Sequence, residues 1–226
     1  MLFRMRKTVL AVVTIIGLAF SGVALADAIP ADIDIDFRKA PWNLAHGNNP
    51  FLADGITATA SGGYNRLYQD SNDGLGIQGG EYDEIDRSEL LTLEMDADFY
   101  DTHGLLTGVW LTDLFAAPDG DNLGESGWIV LYDTTLTEIG KFFFHATEWV
   151  ANGEFFVDFG GALEAYSIKF FAADANENFV ANNEFSVAGF TTSVPEPGTL
   201  ALLGMGLLGL GFVRLRRQMR SSGVPA

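Results

Sequence analysis

The amino-acid sequence predicts an all-β protein, an antiparallel β-sandwich of jelly-roll type, preceded by a signal-peptide helix and followed by a single transmembrane helix. Three observations lead there. Residues Asp32 to Phe37 alternate strictly, with Ile33, Ile35 and Phe37 on one face and three carboxylates on the other, the period of a half-buried strand. Nine further short segments rich in β-branched and aromatic residues follow, separated by Gly, Asn and Asp clusters, with no amphipathic helix of ordinary length among them. Two apolar runs, Val9 to Phe20 and Gly198 to Val213, flank this region.

The first run reads as an export signal. Arg4, Arg6 and Lys7 form a basic start, and Ala24-Leu25-Ala26 supplies the small-x-small pattern that signal peptidase cuts. Cleavage is expected after Ala26, with Ala26-Asp27-Ala28 as a second candidate. No adjacent Arg pair marks twin-arginine export, and the chain has no Cys to carry a lipid. The expected division is therefore 1–26 signal peptide, 27–193 ectodomain and 194–220 sorting and anchoring segment.

Residues 27–193 suffice for one domain with a real core. They hold 29 of the 30 acidic residues and six of the 13 Lys and Arg, a net charge of −23. Such a field repels nucleic-acid phosphates, which excludes a nucleic-acid partner, and favours divalent cations or cationic partners. Without cysteines, stability comes from burial or metal rather than disulfides, and 18 phenylalanines supply apolar mass.

After Asp32–Phe37, strands are expected at Gly55–Ser61, Tyr64–Tyr68, Glu89–Met95, Leu105–Thr112 and Trp128–Tyr132. The remaining four are Lys141–Ala146, Glu154–Phe159, Ala165–Phe171 and Asn183–Phe190. Turn chemistry separates them at Gly62-Gly63, Asp70 to Gly74, Pro118 to Asn122 and Asp174 to Asn176. Asn152-Gly153, between Trp149-Val150 and Phe155-Phe156, predicts a two-residue hairpin that would set Phe142-Phe143-Phe144 and Phe155-Phe156 on neighbouring strands. Three consecutive rings cannot share one face, so one of Phe142 to Phe144 turns away from the others.

Chemistry concentrates in Glu81 to Glu89. Glu84, Asp86 or Glu89 could cap turns or pair with Arg87. Alternatively Asp83, Glu84, Asp86 and Glu89 could supply hard oxygen ligands to Ca2+, the one candidate cofactor, in an irregular loop site. His46, His103 and His145 are far apart without ligand-spaced partners, and Gly124 to Gly127 reads as a turn. Trp42, Trp110, Trp128 and Trp149 could stack on sugar rings, although burial explains them equally well.

The second apolar run follows Val194-Pro195-Glu196-Pro197. Both prolines lack an amide hydrogen and favour extended geometry before them, so an exposed segment begins here, suited to a protease. Residues 198–213 would span about 24 Å as a helix against a hydrocarbon core of about 30 Å, a deficit that snorkelling arginines cover. Arg214, Arg216, Arg217 and Arg220, with no acid among them, place the tail 214–220 in the cytoplasm.

This order of tripeptide, short apolar helix and Arg cluster resembles the PEP-CTERM signal of Gram-negative surface proteins. The resemblance implies recognition by exosortase, a membrane-embedded protease that cleaves near the tripeptide and transfers the ectodomain to a surface acceptor. The same segment also goes by an ice-binding label, which no residue here supports. Gly74-Leu75-Gly76-Ile77, the acidic turn and Leu90-Leu91-Thr92-Leu93 resemble a pattern of PEP-CTERM ectodomains that implies no activity. Glu84-Ile85-Asp86-Arg87-Ser88-Glu89 is similar to the E-x-D-x-x-E signature of jelly-roll glycoside hydrolases acting on β-glucans. That likeness implies Glu84 as nucleophile and Glu89 as acid/base, with Arg87 where the family has an apolar residue.

The expected product is an exported protein, anchored once in the inner membrane with its C-terminus cytoplasmic, then placed at the cell surface or outside it. Its ectodomain is expected to be structural or adhesive and non-catalytic, in contact with extracellular polysaccharide. The alternatives are a carbohydrate-binding module, Ca2+-dependent or not, and then a glycoside hydrolase.

Overall fold

The computed structural model describes residues 29–30, 33–79, 83–116, 124–147, 151–178 and 183–193. The helices expected over 1–26 and 198–213, with the cleavage residues Ala24 and Ala26, lie outside them. Among the described residues no helix is long and apolar enough to cross a membrane.

The chain forms β1 (Ile35–Asp36), β2 (Phe51–Ala53), β3 (Ile56–Ser61), β4 (Leu67–Asp70), β5 (Gly74–Ile77), β6 (Leu90–Met95), α1 (Phe99–His103), β7 (Leu105–Thr112), β8 (Ser126–Tyr132), β9 (Glu138–His145), β10 (Phe155–Leu163), β11 (Ser167–Ala172) and β12 (Ser186–Ser193). They build two six-stranded antiparallel sheets, one ordered β10-β7-β12-β5-β4 with β1 also on β12, the other β2-β3-β6-β11-β8-β9. The sandwich follows from the alternation: Ile56, Ala58 and Ala60 on β3, Leu91, Leu93 and Met95 on β6, and Ile168, Phe170 and Ala172 on β11 all turn inward and are buried. Rings meet across the layers, Phe142 on Phe159 at 5.0 Å and Phe170 near Phe190 at 6.4 Å.

The opening alternation holds for Ile35 and Phe37, which enter the core between the sheets, but not for Ile33, which precedes the short strand Ile35–Asp36 and packs on the opposite face of the first sheet. Ile33, Ile35 and Phe37 are buried, and Phe37 packs edge-on against Trp42 at 4.6 Å and Phe190 at 5.5 Å. Ile33 and Ile29 also cover the outer face of the first sheet, against Trp110, Ala188 and Phe156. Of the three rings on β9, Phe144 is buried while Phe143 is 40 % exposed, the division expected of consecutive rings.

Two expectations about strands need correction. Asn152-Gly153 is no hairpin: β9 pairs with β8 in the second sheet while β10 pairs with β7 in the first, so the turn carries the chain between layers. Both residues do take positive φ, 61° and 58°, but their carbonyls accept the amides of Asp113 and Leu114 instead of closing a strand pair. The strand expected at Tyr64 begins at Leu67, because Gly62 and Gly63 hold positive φ and leave Tyr64 in the turn, 71 % exposed.

Candidate functional site

Strand β12 runs from Ser186, paired with Thr112, to Ser193, paired with Leu105, and so joins the two ends of the sandwich. Seven steps at about 3.3 Å separate them by roughly 23 Å. The sorting segment begins at the Ser193 end; acidic side chains gather at the Ser186 end.

Five separate segments build that acidic end. The β4–β5 turn contributes Asp70, whose carboxylate accepts the Asn72 amide at 2.7 Å, and Asp73, whose carbonyl accepts the Thr112 hydroxyl at 2.6 Å. Asp113 follows β7 directly at φ 56°. Glu84 lies on a segment laid over β5, tied by Ile77 N–H to Glu84 C=O at 3.2 Å and by Ile85 N–H to Phe185 C=O at 2.8 Å. Glycine at 76 permits this overlay, since a Cβ there would stand 2.4 Å from the Asp83 carbonyl. Glu125 is 2 % exposed, and its carboxylate accepts the Phe115 amide. Glu184 precedes β12.

Crowding like charges away from water favours the protonated acids. Burial, then the charges of Asp113, Glu184, Glu125 and Asp73, push Glu84 up to about 10. Burial, followed by Asp73, Glu184 and Asp70, raises Asp113 to about 7. Asp73 is raised too, by burial and then Asp70, while its hydrogen bond with Asp113 works the other way. One oxygen each of Glu84 and Asp113 is buried without a hydrogen-bond partner.

The four residues considered for calcium divide between two settings, Asp83 and Asp86 near Glu89, and Glu84 with the acidic end. Asp83 accepts the Gly79 amide at 3.2 Å and Glu84 joins the cluster above. Glu89, 4 % exposed, accepts the Asp86 amide at 3.0 Å while the Glu89 amide donates to the Asp86 carbonyl at 3.2 Å, a reciprocal closure of the 86–89 turn. Burial, then the charges of Asp86 and Asp83, raise Glu89 to about 7 despite that bond. Among the described residues no three Asp, Glu or His side chains are placed to hold a metal ion. Glu84 and Glu89 have different neighbours, the acids of the Ser186 end for Glu84 and the Asp86 amide for Glu89.

The remaining candidates are scattered. His46 packs on Tyr68, His103 on Phe99 and His145 on Phe143. The Gly124–Gly127 segment leads into β8, and Ser126 is buried with its hydroxyl on the Ala173 carbonyl at 3.0 Å. Trp42 is fully buried and donates to Asp54 at 2.9 Å, Trp110 is buried, and Trp128 is half-buried beneath Lys141. Trp149 lies outside the described residues.

A cleft at the Ser193 end escaped the sequence reading. Met95, Asp96, Ala97, Tyr100, Asp101, Asp133, Thr134, Glu164 and Tyr166 enclose about 550 Å³ where β6 crosses through α1 to β7. Tyr100 is fixed by donating to the Ala165 carbonyl at 2.5 Å and accepting the Ala165 amide at 2.6 Å. The signal that could have found it is Glu164 and Tyr166 flanking a strand start opposite Asp96, Tyr100 and Asp101.

The fold and its C-terminal exit define a β-sandwich that hands its last strand directly to a sorting address. Residues 193–217 match the PEP-CTERM protein-sorting motif, so the chain carries that motif, beginning on the last residue of β12. No curated protein matches the chain.

Proposed function

We propose that the chain is an exported protein sorted by an exosortase, with the sandwich as a non-catalytic structural or adhesive module at the cell surface or in its polysaccharide matrix. The sorting motif over 193–217 carries this reading. Signal peptidase removes 1–26; residues 198–213 hold the chain in the inner membrane, with Arg214, Arg216, Arg217 and Arg220 on the cytoplasmic side. Exosortase then acts beside Val194-Pro195-Glu196-Pro197. Only Val194 separates the end of β12 from Pro195, so the enzyme works against the Ser193 end of the sandwich.

Intact-mass measurement of the surface product tests this. The mass should lack the first 26 residues and the segment beyond the tripeptide, and Pro195→Ala with Pro197→Ala should leave a membrane-bound precursor. A full-length cytosolic product retaining Met1 would refute the reading. Carbohydrate binding is the second reading, favoured by the tyrosine-bearing cleft near Ser193. The separate settings of Glu84 and Glu89 weigh against hydrolysis, which asks for two carboxyls across one bond.

A further inference from the structure

The geometry points to the cleft beside α1 as a binding site for an amine-bearing oligosaccharide, a chain of glucosamine-like units. The inference rests on the adhesive reading of the sandwich and gives it a site and a ligand class.

Size comes first: about 550 Å³ falls within the range of small-ligand clefts, roughly 300 to 1,000 Å³. Two aromatic rings border it, and they differ usefully. Tyr100 is locked through its hydroxyl to Ala165 and packs edge-on against buried Phe99 at 5.0 Å, a fixed wall. Tyr166 is 38 % exposed, so its ring is open to the apolar face of a sugar. Met95 adds a buried apolar floor.

Charge narrows the ligand. Asp96, Asp101, Asp133 and Glu164 line the cleft, and among the described residues no Lys or Arg does. Two of these carboxylates are half-committed: one Asp96 oxygen accepts the Asp98 amide at 3.0 Å, and one Asp133 oxygen holds the Thr135 and Thr137 amides at 2.8 and 2.9 Å. Their second oxygens, and both oxygens of exposed Asp101 and Glu164, remain for a ligand. The four acids do not converge on a point that could hold a metal ion. Positive charge spread along a ligand satisfies separated carboxylates, and a chain carrying one ammonium per sugar provides it.

A basic peptide fits less well. Peptides commonly add to a sheet edge, whereas β6 and β11, which supply Met95 and flank Tyr166, are interior strands paired on both sides. Ring stacking beside acids therefore favours the saccharide.

The test uses the full chain, purified from membranes in neutral detergent, titrated with a β-1,4-linked glucosamine tetramer, its N-acetylated counterpart and tetralysine. The glucosamine tetramer should bind more tightly than either control. Binding should weaken about tenfold or more in the double variant Asp101→Asn, Glu164→Gln and in Tyr166→Ala, with unchanged melting temperatures. Asp101→Asn alone, on an exposed helix position, gives a smaller loss in the same direction should the double variant misfold. No binding, equal binding of the acetylated tetramer, equal binding of tetralysine, or indifference to every folded variant would overturn the proposal. Because purified protein is titrated, such a failure is separate from a failure of export and sorting, which is read from cell fractions and product mass.

Discussion

Replacing Glu89 by Gln should flatten part of the pH dependence of stability. In the folded chain the Glu89 carboxyl is raised from 4.5 to about 7, first by burial and then by Asp86 and Asp83, while an unfolded chain releases the proton near 4.5. The folded state therefore holds the proton more tightly. Its stabilising contribution is complete below pH 4.5, declines as pH rises toward 7, and is gone beyond it. The difference is worth at most about 3 kcal/mol, less what solvent near the 86–89 turn screens. For a domain of this size that is roughly 6 to 12 °C in melting temperature. Gln keeps a carbonyl oxygen for the Asp86 amide and has no proton to lose. Melting curves of wild type and Glu89→Gln at half-unit steps from pH 4.5 to 8 measure the effect: the two should agree near pH 4.5 and diverge in favour of the variant by pH 8. Parallel curves would mean that Glu89 is solvated or paired, and the buried-acid reasoning would fail.

Three further outcomes follow from the packing. Asp113→Asn keeps the side chain's size, suits a positive φ and removes a buried carboxyl whose pKa is raised to about 7, so it should leave stability within about 1 kcal/mol of wild type at pH 5 and exceed wild type at pH 8.5, where the folded chain must hold that carboxyl charged; urea unfolding at both pH values decides it. Gly63→Ala places a Cβ 2.2 Å from a Glu89 oxygen at φ +52° and should cost about 2 kcal/mol, measured by the same method. Phe37→Ala empties the space between Trp42 and Phe190 and should cost about 3 to 5 kcal/mol; a loss under 1 kcal/mol would show that this contact is not part of the core.

Local period was readable and partner choice was not. Leu105–Thr112 and Ile56–Ser61 emerge close to their expected bounds because a one-face pattern is written into consecutive residues. Asn152-Gly153 misled because its positive φ angles satisfy turn chemistry without saying which sheet receives the next strand. The missed strand Phe51–Ala53 had a signal of its own: Asp54-Gly55, at φ 50° and 74°, is the hairpin turn that pairs it with β3. Its shortness hid it. Charge excess was visible from composition, but Asp70, Asp73, Glu84, Asp113, Glu125 and Glu184 come from five segments that only the completed sandwich brings to one end. Likewise Glu84 and Glu89, five positions apart in one motif, meet different neighbours, with buried Ile85 bonded to Phe185 between them.

The position of β12 has a mechanical consequence. It lies between β7 on one side and β5 with β1 on the other, and among the described residues it is the last strand. A force applied through the C-terminal segment pulls along the strand, across hydrogen bonds that run perpendicular to it. Along β7 those bonds are loaded in shear and must slip together, and β5 and β1 add bonds on the other flank from Val187 to Phe190, whereas a strand pulled from its edge would peel one bond at a time. A tug on the C-terminal segment therefore meets many bonds of the sandwich at once.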